Sequence, residues 1–314
     1  MTSKKILIIS IGKKLGDNIT DTFLIHYLKR LYPAAQITLL MHEGYRDVFI
    51  HNPDVARIIT VPNTHYFGKL FGNLWKLRQE HFDIVLDIFF PLTYKKAFFD
   101  WILGAKNVFA VNSSVFKCVT HSIKAEPTRE HILVRMLKVL QCLKPGFDAP
   151  FQYFLYPSQE VMHQVENSLP KKHILFFNPT ASDERRTLPE ASVRSLLQHF
   201  AEQFPQVHIL LSYPREIPGL PVNTTWVPYT NLETLFALIK SSDVVLSVDT
   251  GIVHVASAFD KPQVVLYARP ISEYRPDLVF APICKNKILL HSSDTVGSIE
   301  NKQIAAALEK IICH

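Results

Sequence analysis

Short apolar runs alternate with amphipathic segments along most of the 314-residue chain. The first run, Lys5–Ser10, is typical of a buried strand, and Ile19–Leu31 repeats its apolar residues at helical spacing. Strands that alternate with helices indicate a parallel, doubly wound α/β sheet. The same pattern predicts strands at Gln36–Leu40, Arg57–Val61, Asp83–Ile88, Asn107–Val111, His173–Phe177, Val207–Ser212, Asp243–Val248 and Gln263–Leu266. It predicts helices at Glu43–His51, Arg129–Leu143, Ala191–Phe204, Leu232–Lys240, Gly251–Phe259 and Ile299–Cys313.

Two series of these elements are separated by a stretch rich in proline and aromatic residues, Pro150–Pro157. We therefore predict an N-terminal domain over residues 1–155 and a C-terminal domain over residues 156–314, with a final helix that could pack on either. Two such domains facing each other would leave a central cleft. Ligands of open α/β sheets bind beyond the carboxyl ends of the strands, so the residues that follow each strand are the candidates.

The loop after the first strand contains Gly12, Lys13, Lys14 and Asp17. It matches neither the dinucleotide fingerprint nor a phosphate-binding P-loop. Asp17 has two interpretations: a helix cap, or a general base that takes a proton from an attacking hydroxyl. Lys13 and Lys14 either hold an anionic acceptor or are solvated, and their charge should favour the ionised form of Asp17.

Two further loops follow predicted strands of the second half. The first, Asn178–Glu190, carries hydroxyl groups and the pair Arg185 and Arg186, whose planar guanidinium groups suit phosphate. The second runs from Asp249 through Thr250 and Gly251 into a helix whose free N–H groups would form a phosphate site. His254, one turn into that helix, is either a core histidine or a ligand contact.

The basic charge is concentrated in the first half of the chain. Residues 1–156 carry 20 Lys and Arg against 12 Asp and Glu, a surplus of eight, whereas the remainder carries 14 against 16. Such a surplus indicates a solvated basic face or an anionic partner, such as a phosphorylated lipid, a membrane surface or nucleic acid. In Phe67–Arg78 aromatic residues alternate with basic ones, as in a membrane-contacting segment or a buried helix with solvated lysines.

No apolar run is long enough to span a membrane, and the four cysteines have no metal-ligand spacing. No pair of carboxylates has metal-binding spacing either. We therefore expect a cytoplasmic protein that needs neither a cofactor nor a divalent cation. The basic surplus and Phe67–Arg78 lead us to expect peripheral contact with the inner membrane. We expect no nucleic-acid partner, because the basic residues are scattered among predicted loops and helices.

The chain resembles glycosyltransferase family 9, the lipopolysaccharide heptosyltransferases, over nearly its whole length. The most specific match runs from Ser242-Asp243 through Ser247-Val248-Asp249-Thr250-Gly251 to His254, followed by Ala256 and Ala258. The N-terminal matches are Gly16-Asp17, Leu28–Pro33, Ile37–Leu40 and Phe82–Asp87.

The resemblance implies a GT-B fold of two Rossmann-like domains, the first binding an anionic glycolipid acceptor and the second ADP-heptose. It implies an inverting transfer with Asp17 as base and with donor contacts from Asp249, Thr250, Gly251, His254, Ser182 and Glu216. Where the family usually has Lys shortly before a Trp-Pro pair, this chain has Arg186, two residues before Leu188-Pro189. This departure leaves other donor sugars open. Two alternatives also remain: a sugar-nucleotide epimerase, and a non-catalytic binder of nucleotides or nucleic acid.

Overall fold

The computed structural model describes residues 3–12, 14–61, 74–88, 91–228 and 231–312. Contacts divide the chain into two compact units. The first comprises Met1–Tyr156 and the short segment Tyr274–Ala281, and the second comprises Pro157–Glu273 and Pro282–His314. In the described part of the chain, no helix combines the length and apolar character that crossing a bilayer would need.

The first unit is built on a six-stranded parallel sheet with the strand order β3-β2-β1-β4-β5-β6. In this doubly wound order, successive strands are added towards one edge from β1 to β3 and towards the other edge from β4 to β6. The crevice between β1 and β4, where the strand order reverses, is the usual ligand site. The strands are β1 (Lys5–Ser10), β2 (Gln36–His42), β3 (Arg57–Val61), β4 (Ile84–Asp87), β5 (Asn107–Val111) and β6 (His121–Ile123).

The described helices of the first unit are α1 (Leu15–Leu31), α2 (Tyr94–Leu103), α3 (Ile132–Leu143) and, from the returning segment, α8 (Pro276–Val279). Residues 74–78 are also helical. Buried apolar side chains of β1, such as Leu7 and Ile9, pack with Val85 of β4 and Leu103 of α2. The segment predicted as a helix over 43–51 is instead a 3₁₀ helix, Glu43–Val48.

The second unit repeats the same topology, with the strand order β12-β11-β10-β7-β8-β9 and all strands parallel. Here the strand order reverses between β7 and β10. The strands are β7 (His173–Asn178), β8 (Val207–Ser212), β9 (Thr224–Val227), β10 (Val244–Val248), β11 (Gln263–Tyr267) and β12 (Lys287–His291). Its helices are α4 (Gln159–Ser168), α5 (Glu190–Gln203), α6 (Leu232–Ser241), α7 (Gly251–Ala258) and α9 (Asn301–Ile312).

The final helix, α9, belongs to the second unit. Its buried residues Ile304, Leu308 and Ile311 join Leu196 and Phe200 of α5 in one apolar cluster over the sheet. Burying large aliphatic and aromatic side chains contributes about 1.5–3 kcal/mol each, so this cluster is a main source of stability for the sheet.

Candidate active site

Asp17 lies in the first turn of α1, at the carboxyl end of β1 and at the reversal point of the first sheet. The N-cap residue of α1 is Lys14, whose side chain makes no capping hydrogen bond. Asp17 is therefore not the N-cap residue that the sequence offered as an alternative. Its carboxylate lies at the positive end of the helix dipole, which favours negative charge.

The backbone before α1 is shaped around Asp17. A Cβ added to Gly12 would lie 2.9 Å from the Asp17 Cβ and 3.1 Å from its Oδ2, so the carboxylate packs directly on this glycine. Asn18, which is fully buried, holds the same loop by donating through Nδ2 to the Gly12 carbonyl at 3.2 Å and the Lys14 carbonyl at 2.8 Å. The loop thus fixes the position of one carboxylate.

Gly12→Ala should misplace Asp17 without disturbing the second unit. Because the added methyl group overlaps the Asp17 side chain, we expect kcat for transfer to fall by about tenfold to a hundredfold. Nucleotide affinity, measured by calorimetry, should stay unchanged. An unchanged kcat would show that the exact position of Asp17 is unimportant.

Burial raises the pKa of Asp17 to about 6, and the nearby charge of Lys14 only partly lowers it. The Lys14 charge favours the ionised form of Asp17, as expected from the sequence, but burial has the larger effect, so the carboxyl group is harder to ionise than a free aspartate. Loss of hydration outweighs the lysine because Lys14 is exposed, and water screens its charge. A base with a pKa just below neutral is suited to accept a proton at cellular pH.

The pH profile of kcat/KM should therefore fall on the acid side with a midpoint near pH 6. Lys14→Gln should move that midpoint upward, because it removes the charge that lowers the Asp17 pKa. Initial rates from pH 5 to pH 8 measure both midpoints. A midpoint that stays in place after the substitution would mean that Asp17 does not set the acid limb.

Two buried carboxyl groups, those of Asp21 and Asp87, lie near Asp17 in the first unit. Asp21, one helical turn further along α1, is fully buried and accepts a hydrogen bond from Ser10 Oγ. Burial raises the Asp21 pKa well above its usual range. Asp87, at the end of β4, is also buried and lies 3.5 Å from Lys96 Nζ through its Oδ1. Sequence reasoning missed both, although the four-residue spacing of Asp17 and Asp21 places them on one helix face.

In the second unit, Asn178 links the two strands at the reversal point. From the end of β7 its Nδ2 donates to Ser247 Oγ of β10 at 3.0 Å and to Thr250 Oγ1 at 3.2 Å. Thr250 is the N-cap of α7 and accepts from the Ile252 N–H at 3.4 Å. Asn178 is the first residue of the loop Asn178–Glu190 identified in the sequence, but its hydrogen bonds to β10 and Thr250 were not predicted.

Arg186 places its guanidinium group beside the start of α7. Its Nη1 donates to the Asp249 carbonyl at 2.9 Å and lies 3.3 Å from Asp249 Oδ2, while Nη2 reaches Ser182 Oγ at 3.5 Å. A partly buried cation, a hydroxyl group and a helix N-terminus therefore converge at the end of β10. Together they provide the donors that an anionic phosphate group requires.

The neighbouring Arg185 is engaged elsewhere. Its Nη2 contacts Asp294 Oδ1 at 3.2 Å and the Arg269 carbonyl at 3.4 Å. The structure thus places Arg186, the arginine that the resemblance singled out, beside the start of α7, whereas Arg185 contacts Asp294.

A sequence model described as "Glycosyltransferase family 9 (heptosyltransferase)" matches residues 73–303 of this chain. The chain belongs to glycosyltransferase family 9. The resemblance noted from the sequence is confirmed, and the protein is a glycosyltransferase. This assignment excludes both the epimerase and the non-catalytic binder.

Individual relatives in family 9 agree with this assignment. The chain is 26% identical over 329 residues to an Escherichia coli K12 protein with the provisional name lipopolysaccharide heptosyltransferase 4, covering 99% of this chain and 88% of that protein. A family 9 structure from Veillonella parvula superposes with a TM-score of 0.82 at 17% identity, covering 99% and 97% of the two chains. The E. coli ADP-heptose lipopolysaccharide heptosyltransferase II gives 0.76 at 16% identity, covering 98% of each chain. The GT-B fold is thereby confirmed.

The other family-derived site residues stay predictions. His254 is buried in α7, at 4% exposure, and Gly251 is the first residue of that helix. Glu216 is exposed in the loop after β8, and in the described chain no hydrogen bond or ion pair joins it to Arg186 or Asp249. Lys14 is exposed at the start of α1, and Lys13 lies outside the described residues.

Proposed function

We propose that this family 9 glycosyltransferase transfers a heptose from ADP-heptose to a lipopolysaccharide core acceptor. The observation that carries the proposal is the convergence of Arg186, Ser182 and the N-terminus of α7 at the end of β10. Such a group of donors fits the diphosphate of a nucleotide sugar. The name of the E. coli relative of the same fold, an ADP-heptose heptosyltransferase, supports this donor.

The reaction is a single inverting displacement. Asp17 takes the proton from an acceptor hydroxyl, and that oxygen forms a bond to the anomeric carbon of the donor sugar. The bond from the anomeric carbon to the diphosphate oxygen breaks, and the nucleoside diphosphate leaves with the bonding electrons. Arg186 and the free N–H groups at Thr250–Gly251 stabilise the negative charge that develops on the leaving group.

Asp249 positions the arginine in this scheme. It accepts from Arg186 through its backbone carbonyl and pairs with it through its carboxylate, which is 13% exposed. An ion pair shielded from water in this way holds a guanidinium group in one orientation more firmly than a surface pair does. The diphosphate would then meet a guanidinium group that is already in place, so little ordering entropy is lost on binding.

Calorimetry with ADP, UDP, GDP and CDP tests the donor. We expect ADP to bind most tightly and Arg186→Ala to weaken it, whereas Lys171→Ala, an exposed lysine elsewhere in the second unit, should leave the affinity unchanged. Equal affinity for all four nucleotides, or none, would overturn the assignment of ADP-heptose.

A further inference from the structure

Helix α2 in the first unit exposes three aromatic side chains along one side. Tyr94, Phe98 and Trp101, at positions i, i+4 and i+7, are 85%, 46% and 64% exposed. The opposite side of the helix is anchored by buried Ala97 and Leu103. Exposed aromatic residues of this size normally occur at interaction sites, because their hydration is unfavourable.

Trp101 connects Phe98 of this helix with Trp75. Phe98 stacks on Trp101 with ring centroids 5.8 Å apart. Trp75, which is 61% exposed, and Trp101 line the same open cavity of about 570 Å³, together with Arg78 and Lys117. We call Trp75, Tyr94, Phe98 and Trp101 the aromatic surface. It includes the end of the Phe67–Arg78 segment noted in the sequence, of which residues 67–73 lie outside the described residues.

The exposed charges of the two segments that carry the aromatic surface all have the same sign. In residues 74–88 and 91–120, every exposed charged side chain is basic: Lys76, Arg78, Lys95, Lys106 and Lys117. The acidic residues of these segments are buried or half-buried. Asp100, which lines the cavity, is buried, and burial raises its pKa, so a negative charge on it is disfavoured. The cavity therefore presents indole rings beside cations.

We propose that the aromatic surface docks the first unit on an anionic lipid bilayer, with the rings at headgroup level and the surrounding lysines on lipid phosphates. Tryptophan and tyrosine favour the membrane interface because they combine an apolar ring with a polar group. Basic residues add electrostatic attraction to anionic lipid. A second copy of the chain would instead bring two basic surfaces together, which is unfavourable.

The docking does not depend on which sugar is transferred. It can therefore be tested with the full-length protein alone, without donor or acceptor. Failure to bind lipid would leave the proposed transfer reaction untouched, and a wrong donor would leave the docking untouched.

Flotation with phosphatidylcholine vesicles, with and without phosphatidylglycerol, is the first test. We expect the protein to float with the anionic vesicles at low salt and to stay behind with the neutral ones. Phe98→Ser combined with Trp101→Ser should remove most of the bound fraction. The matched control is Val222→Ser with Ile271→Ser, two exposed apolar residues of the second unit, which should bind as the parent does.

A second pair of variants measures the electrostatic contribution to lipid binding. Lys117→Gln should lower the partition coefficient on anionic vesicles by about fivefold. Lys171→Gln, at an exposed lysine of the second unit, should not change the partition coefficient. Thermal unfolding of each variant checks that the fold is retained.

Quenching by brominated lipid localises the contact. The chain has three tryptophans, and Trp226 is in the second unit, so Trp226→Phe leaves emission from Trp75 and Trp101 alone. We expect brominated anionic vesicles to quench that emission. The proposal is overturned if the parent protein does not bind anionic vesicles, if the double serine variant binds equally well, or if bound protein shows no quenching.

Discussion

Replacing Asp17 by asparagine should lower kcat for sugar transfer by roughly 10²–10⁴-fold at saturating donor and acceptor. The amide fills the same space over Gly12 but cannot accept a proton at neutral pH. Affinity for the nucleotide should be unchanged, because Asp17 belongs to the first unit and the proposed donor residues to the second. Single-turnover rates and calorimetry on the same preparation separate the two effects.

The same variant should be more stable than the parent at neutral pH. The Asp17 pKa is about 6 in the folded protein against 3.8 for the free side chain, so stability is lost as the pH rises from about 4 to above 6. Asparagine removes the need to ionise this carboxyl group in the folded protein. We therefore expect the free energy of unfolding to increase by about 2 kcal/mol at pH 7, and this increase should vanish near pH 4. Urea unfolding at both pH values measures it. A loss of stability at pH 7 would instead indicate a structural role for Asp17.

Replacing Arg186 by alanine should reduce kcat/KM for the donor by about 10- to 100-fold, the effect of losing a charge-assisted contact of roughly 1.5–3 kcal/mol. Arg185→Ala is the matched control, because the Arg185 guanidinium group pairs with Asp294, whereas that of Arg186 pairs with Asp249. We expect the control to change kcat/KM by less than about twofold, as is usual for an exposed pair. Equal losses in both variants would show that Arg186 has no special role.

Arg186→Lys examines the departure of this chain from the family pattern. A lysine keeps the charge but cannot donate two parallel hydrogen bonds. If Arg186 acts through both Asp249 and the diphosphate, the variant should recover only part of the activity lost in Arg186→Ala. Full recovery would show that charge alone matters there.

Central strands could be predicted from sequence, whereas most edge strands could not. β1 and β5 have the predicted bounds because they lie inside the sheet and are apolar throughout except at their ends. The missed strands β6, β9 and β12 each lie at the edge of a sheet, where one side of the strand meets water. Polar residues such as His121 and Thr225 are tolerated there, so the apolar pattern is too weak to detect.

The sequence predicted those residues of the candidate site that directly follow a strand, and it did not predict the contacts between them. Asp17 and Asp249 both follow strands at a reversal point, so the sequence pattern identified them. The contact of Asn178 with Ser247 joins residues 69 positions apart, and no local pattern reports it. The net direction of the Asp17 pKa shift could not be predicted either, because burial, which no sequence pattern shows, outweighs the Lys14 charge.

The most direct test of the account is transfer itself. Incubating the protein with ADP-heptose and a core glycolipid that lacks the terminal heptose should increase the acceptor mass by one heptosyl unit and release an equal amount of ADP, while Asp17→Asn does neither at a measurable rate. Release of ADP without a change in acceptor mass, or no turnover of ADP-heptose by a protein that binds another nucleotide, would contradict the proposed reaction.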